Sequence, residues 1–315
     1  MHPSRNVILI ACICLAMVGI AAGIKGARSQ TINPPELSTK KQPITIPTAV
    51  EHSFFEDGSA EAALPPTNYP TINPDGIGAK AYIVGDLETD LIYLERNSGS
   101  VLPVASMSKL LTALVVLDNL SSTTTIQIGS DQSALPDISG IHPGEKFMVS
   151  ELLYPLLISS SNRAAEALAS FKDRPNFMEL MRGYALEIGL PASYFADPSG
   201  ISPDNRASAR GILAFAKYLY ISRPDILTIT RIPFMAISTT SEHDAHDFIS
   251  THPFAKDERF VGGKTGRTVA AGETMMTILL LGDRPIAIIV LGSEIGGREG
   301  DTRLLLDRVK NILDK

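Results

Sequence analysis

The stretch AKAYIVGDLETDLIY, Ala79 to Tyr93, holds two apolar runs separated by the turn-prone residues Gly85-Asp86 and Glu88 to Asp90. Short β-branched and aromatic runs bounded by Gly and Asp are the pattern of a strand hairpin. A second pair of β-rich runs lies near the far end of the chain, at Thr274 to Leu281 and Pro285 to Leu291, followed by a closing helix over Thr302 to Leu313. Between the two pairs the period changes. Ser106 to Leu120 puts Met107, Leu110, Leu111, Leu114, Val115 and Leu117 at the i, i+3, i+4 spacing of a buried helix. Further helices are predicted over Val149–Ile158, Asn162–Phe171, Asn176–Ile188 and Ala207–Ile221. Strands at both ends of a domain with helices between them imply one sheet assembled from distant segments, hence an α+β fold.

Working outward, the folded domain is expected to span 76–315. Residues 25–75 turn to Pro, Thr, Ser and Glu, with Pro34-Pro35, Pro43, Pro47, Pro65-Pro66, Pro70 and Pro74 interrupting any helical or strand period; this is an extended linker. Residues 1–24 contain VILIACICLAMVGIAAGI, Val7 to Ile24, with no charged residue, after Arg5 and before Lys25. A signal peptide's apolar region is about 7 to 15 residues long, whereas a bilayer span needs roughly 17 or more. The run therefore reads first as an uncleaved N-terminal membrane anchor. Cleavage at Ala21-Ala22-Gly23 is the alternative, and Leu9-Ile10-Ala11-Cys12 is a lipoprotein-like box too near the start to follow a full apolar region. On either reading the rest of the chain is extracytoplasmic.

The chain has 315 residues, 44% of them hydrophobic, which is ample for a sizeable core. Its formal net charge of -6, without a long basic run, argues against a nucleic-acid partner. The only cysteines, Cys12 and Cys14, sit in the N-terminal apolar run, so the folded part has no disulfide framework and no Cys-based zinc site.

Ser106-Met107-Ser108-Lys109 sets a hydroxyl and an amine three residues apart at the start of the buried helix, on one face. A serine needs a base to become a nucleophile, and a lysine serves once burial lowers its pKa. A helix N-terminus also favours the negative charge that develops in acyl transfer. Alone the pattern is weak, since Ser38-Thr39-Lys40-Lys41 repeats it in the linker. Two further elements follow in the folded part. Ser160-Ser161-Asn162 falls between two predicted helices, where its hydroxyls and amide would project from a short loop; by itself it reads as an N-cap. Lys264-Thr265-Gly266 follows Val261-Gly262-Gly263 in a strand-like segment, where an edge strand would present a cation and a hydroxyl to a carboxylate, with Gly266 allowing close approach of a bound chain.

In this order the three elements resemble the Ser-x-x-Lys, Ser-x-Asn and Lys-Thr-Gly motifs of the penicillin-recognising serine enzymes. Within them the chain is most similar to the D-alanyl-D-alanine carboxypeptidase family. The flanking blocks PVASMSKLLTALVVLDN, HPGEKFMVSELLYPLLISSSNRAAEALA, FADPSGISPDNRASARG and FVGGKTGRTVAAGETMM carry the resemblance from about Gly76 onward. It implies that Ser106 is acylated, Lys109 is its base, Ser160 relays protons, and Asn162 contacts substrate and lysine. Lys264 and Thr265 would bind the substrate carboxylate beside Gly266, and the backbone amides of Ser106 and Arg267 would form the oxyanion hole. The implied fold is an antiparallel sheet flanked by helices, with a mainly helical subdomain across a cleft. The implied substrate is the peptidoglycan pentapeptide, with β-lactams as covalent inhibitors and neither metal nor organic cofactor.

Some residues depart from the family pattern. Arg267 stands where a smaller residue or His is common, and Gly296-Gly297-Arg298-Glu299 replaces a pair of basic residues that often helps hold the carboxylate. The chain also closes on a single helix, without the second β-domain and C-terminal amphipathic helix of many relatives, so the N-terminal segment is expected to do the anchoring. His243, His246 and His252, with Asp244 and Asp247, include a ligand-like His-x-x-His spacing. The resemblance instead makes this stretch an exposed loop before the Lys-Thr-Gly strand. A DD-endopeptidase uses the same chemistry and stays open. A serine β-lactamase is disfavoured because no Glu-x-x-Leu-Asn segment lies between Asn162 and Lys264. A catalytically inactive wall-binding module is disfavoured by the intact Ser106, Lys109, Ser160 and Lys264.

Overall fold

The computed structural model describes residues 76–314. The predicted anchor and linker lie outside the described residues. Among the described residues no helix is long and apolar enough to cross a membrane.

Five antiparallel strands form the main sheet: β1 (Ala81–Asp86), β2 (Ile92–Arg96), β3 (Phe260–Thr268), β4 (Gly272–Leu281) and β5 (Arg284–Ser293), in the order β2-β1-β5-β4-β3. The first hairpin therefore docks on the last strand, Ala81 opposite Leu291 and Ile83 opposite Ile289. This closes the sheet from the two chain ends, as the sequence pattern requires. β5 is buried on both faces, which is why it reads as a continuous apolar run rather than an alternating one. Its odd and even residues serve different cores. Ile286, Ile288 and Val290 pack with Leu305, Leu306 and Val309 of the closing helix, whereas Ala287, Ile289 and Leu291 join the larger helical core.

The helices are α1 (Ser108–Asn119), α2 (Val149–Leu157), α3 (Asn162–Ala169), α4 (Arg174–Glu187), α5 (Ala209–Ser222), α6 (Pro224–Thr230) and α7 (Arg298–Leu313). α1 is buried along most of its length, from Ser108 to Val116, within the helical layer. Three features were not read from the sequence. The α4 helix begins at Arg174 rather than Asn176, because Asp173 caps it by accepting from the Asn176 amide at 3.1 Å. The short helix α6 opens on Pro224. Finally, Ser106 lies in a tight 3-10 turn, Ala105–Met107, ahead of α1 rather than inside it. Three short two-stranded pairings brace the loops: 101–103 with 206–208, 125–127 with 146–148, and 234–237 with 246–249.

Candidate active site

The Ser106 turn is forced into shape from several sides. Ala105 has φ +51°, a left-handed conformation that costs a non-glycine residue about 1 kcal/mol or more. It is held there by Val104 O, which accepts from Thr274 Oγ1 at 3.0 Å, and by Ala105 O, which accepts from Ser108 Oγ at 2.9 Å. Two glycines make room for the turn. A Cβ on Gly200, at φ +83°, would stand 2.0 Å from Ala105 O, and a Cβ on Gly266 would stand 2.9 Å from both Ala105 Cβ and Ser106 N. No side chain fits at either place, so β3 and the 197–202 loop press directly on the serine's backbone.

Lys109, at 0% exposure, points back to Ser106 from the first turn of α1. Its Nζ reaches Ser106 Oγ at 2.9 Å, Asn162 Oδ1 at 2.8 Å and the Ser199 carbonyl. Burial brings its pKa from 10.5 down to about 7, against the opposing pull of Asp197, Asp137 and Glu166. The Ser199 carbonyl is fixed by Asp197, whose carboxylate accepts from Ser199 N and Ser199 Oγ, both at 2.7 Å, and from Ser202 N at 2.6 Å. Asn205 ties the same loop to α1, donating to Asp197 O at 2.7 Å and Ser108 Oγ at 2.9 Å.

The second motif divides its work among its three residues. Ser160, at φ +64°, follows the end of α2 and redirects the chain. Ser161 is the N-cap of α3, accepting from Ala164 N at 3.0 Å and donating to Asp137 Oδ2 at 2.6 Å. Asn162 opens α3 and bonds Lys109. The N-cap reading thus belongs to Ser161, while the left-handed turn leaves Ser160 facing the sheet edge.

β3 is that edge, and it brings Lys264 across to Ser160. Lys264, 1% exposed, donates to Ser160 Oγ at 2.8 Å and to Thr265 O at 3.0 Å. Burial holds its pKa well below 10.5, and the positive charges of Lys109 and Arg298 push it the same way. Thr265 Oγ1 lies 2.8 Å from Thr251 Oγ1. The Arg267 side chain is exposed, and its residue pairs with Glu273 on β4. Arg298, the first residue of α7, donates to Gly266 O at 2.9 Å and sits 3.8 Å from Glu273 Oε2. The sequence reading singled out Arg298 only as a departure from the family pattern. Asp137, Asp197, Ser199 and Gly200 were missed as site residues; the turn-forming run Asp197-Pro198-Ser199-Gly200 was a local signal for the last three, while nothing local marks Asp137.

The histidine-rich stretch differs from the expected exposed loop. His243, His246 and His252 are all buried, while Asp244 and Asp247 are exposed. They are buried because the segment folds back as the 234–237/246–249 hairpin, stacking His243 on Phe147 at 4.4 Å and setting His246 Nε2 2.9 Å from Glu145 Oε1. His252 lies apart, beneath β3, bonded to Met276 O at 3.0 Å. Among the described residues no group of three or more His, Cys, Asp or Glu is arranged to hold a metal.

A Lys-Thr-Gly edge strand facing a helix opened by Ser-x-x-Lys, on an antiparallel sheet covered by helices, defines the class of penicillin-recognising serine peptidases. The sequence model of the D-alanyl-D-alanine carboxypeptidases matches residues 68–294, and the chain belongs to that family. It is 26% identical over 239 residues to the D-alanyl-D-alanine carboxypeptidase DacC of Escherichia coli K12, covering 71% of this chain and 59% of that relative's length. The chain therefore spans less than two thirds of that protein. It is 27% identical over 239 residues to the D-alanyl-D-alanine endopeptidase of the same organism, covering 70% of this chain and 73% of the relative. Among solved structures, penicillin-binding protein D2 of Listeria monocytogenes in its ampicillin-bound form superposes with a TM-score of 0.65 at 25% identity, over 76% of this chain and 99% of that one.

Proposed function

We propose that this protein is a serine D-Ala-D-Ala carboxypeptidase that trims peptidoglycan stem peptides through an acyl-enzyme on Ser106, outside the cytoplasm and held at the membrane by Val7 to Ile24. The observation that carries the reading is the set of partners around Lys109 Nζ. A neutral amine has two N–H donors and one lone pair. Asn162 Oδ1 and the Ser199 carbonyl can only accept, so they take both donors. The lone pair is left for the one partner able to donate, the Ser106 hydroxyl. The site thus selects the orientation in which Lys109 acts as a base, and burial supplies the deprotonated form near neutral pH.

Ser106 Oγ attacks the carbonyl carbon of the penultimate D-Ala as its proton passes to Lys109. The oxyanion forms toward the amides of Ser106 and Arg267. When the C–N bond breaks, the proton held by Lys109 passes through Ser160 to the departing D-Ala amine, and Lys109 is again neutral. Water then attacks the ester carbon, its proton goes to Lys109 and from there to Ser106 Oγ as the acyl C–O bond breaks, and the shortened peptide leaves with a new carboxylate. Lys264 and Thr265, with Gly266 clearing the approach, receive the terminal carboxylate; the cation of Arg298, bonded to Gly266 O, strengthens that field. A β-lactam would follow the first half of this path and stop at the ester.

The endopeptidase reading is supported by a relative of that name at equal similarity. Peptidoglycan fragments incubated with the purified protein separate the two: release of free D-alanine from pentapeptides is expected to dominate. Cleavage of cross-links with no D-alanine released would replace the carboxypeptidase reading.

A further inference from the structure

Three carboxylates stand behind the groups that bond Lys109, and they are not alike: Asp197 fixes Ser199, Asp137 accepts from Ser161 beside Asn162, and Glu166 follows Asn162 by one helical turn; each favours the charged lysine, Asp197 most and Glu166 least. Asp197 and Asp137 are locked. Burial pushes each carboxyl up, but hydrogen bonds from Ser199, Ser202 and Gly200 to the first, and from Ser139, Ser161 and Arg163 to the second, outweigh it. Both stay below the usual carboxylate range and remain charged. Glu166 has no such clamp. It lies four residues after Asn162 on α3, which places it on the same helix face one turn behind the amide that grips Lys109. Among the described residues its side chain bonds Arg174, the first residue of α4, whose side chain is about half exposed while that of Glu166 is 18% exposed. Burial raises the Glu166 carboxyl above its usual range, with Arg174 pulling it back down.

We propose that Glu166, gripped by Arg174, is the positioning residue that controls the charge state of the Lys109 base, and through it the pH at which Ser106 becomes reactive. This rests on the reading of Lys109 as the base. The other groups that face Lys109 do not supply the same control: Asp137 and Asp197 are fixed by backbone amides, while Lys264, with Arg298 behind it, lies on the opposite wall, where burial and the neighbouring positive charges disfavour its own charge. Glu166 is the one neighbour whose charge is held by a single surface side chain. Its carboxylate favours the ammonium form of Lys109, so neutralising it favours the amine.

The test is the rate of acylation by a fluorescent penicillin, followed across pH in the full-length protein. Glu166→Gln keeps an acceptor for Arg174 and removes the charge, so the acid limb is expected to move to lower pH by about half a unit or more, with the plateau rate little changed. Glu166→Asp is expected to restore the limb. Arg174→Gln alters a half-exposed side chain and frees the Glu166 carboxyl from its partner cation, so its limb should differ from that of the unaltered protein, and that difference should vanish in the Glu166→Gln background. Acid limbs in Glu166→Gln and Arg174→Gln that coincide with that of the unaltered protein, at equal melting temperature, would overturn the proposal. Failure of the unaltered protein to be acylated at any pH is a different result: it removes the peptidase reading itself.

Discussion

The two walls of the cleft each bury a lysine, and they treat it in opposite ways. On the helical wall, Lys109 has three hydrogen-bond partners around Nζ and three carboxylates near enough to offset part of the cost of burial. On the sheet wall, Lys264 has two acceptors, and its charged neighbours are cations. A buried charge is stable only if its surroundings replace the water it has lost. The helical wall supplies that replacement from the protein and leaves Lys109 poised near neutral pH. The sheet wall withholds it, which is the arrangement expected of a site whose missing counterion is the ligand. On the proposed reading, one amine exchanges a proton and the other receives an anion.

That contrast is broken most severely by Lys109→Met. Removing the base is expected to lower acylation by about a thousandfold or more for every substrate, whether or not it carries a carboxylate. Penicillin labelling read by intact mass gives the answer, and substantial residual labelling would move the base elsewhere.

A second large effect lies beneath the sheet wall. Burial holds His252 neutral, bringing its pKa from an ordinary 6.5 to about 3, with Met276 O opposing and Lys264 and Arg298 assisting. Its ring donates to Met276 O and stacks on Phe260. Because the folded pKa is the lower one, the unfolded chain takes up the proton first as pH falls. Stability is whole above pH 6.5 and is lost progressively toward pH 3, where the deficit reaches on the order of 4 kcal/mol. His252→Gln can still donate to Met276 O but does not titrate. Urea unfolding of the two proteins between pH 3 and 7 should show the difference, and parallel curves would remove His252 as the source.

The smallest effect is the most specific. Lys264→Arg keeps the charge but changes its shape and donor geometry. Acylation is expected to fall roughly tenfold more for a peptide with a free terminal carboxylate than for its uncharged ester. Equal losses on both substrates would erase the functional difference between the two walls.

The linear sequence determined the fold class, because strand periodicity at both chain ends and helical periodicity between them leave few ways to bury the apolar faces. It also determined the chemistry on offer. Ser106 and Lys109 meet because three residues make nearly one helical turn, a local fact that any buried helix start would preserve. What needed the tertiary structure was everything acting across long separations. The left-handed Ala105 is held by Gly200 and Gly266, which lie far along the chain, and no local propensity announces that constraint. Ser199 contributes a backbone carbonyl, so its side chain carried little sign of its place beside Lys109. The buried histidines looked like an exposed loop because burial depends on what folds over a residue, and here that is a hairpin packed on Phe147 for His243 and His246, and β3 for His252. Sequence fixes which groups can react. The packing of distant segments decides how much water each one keeps, and hence whether a lysine becomes a base or an anchor.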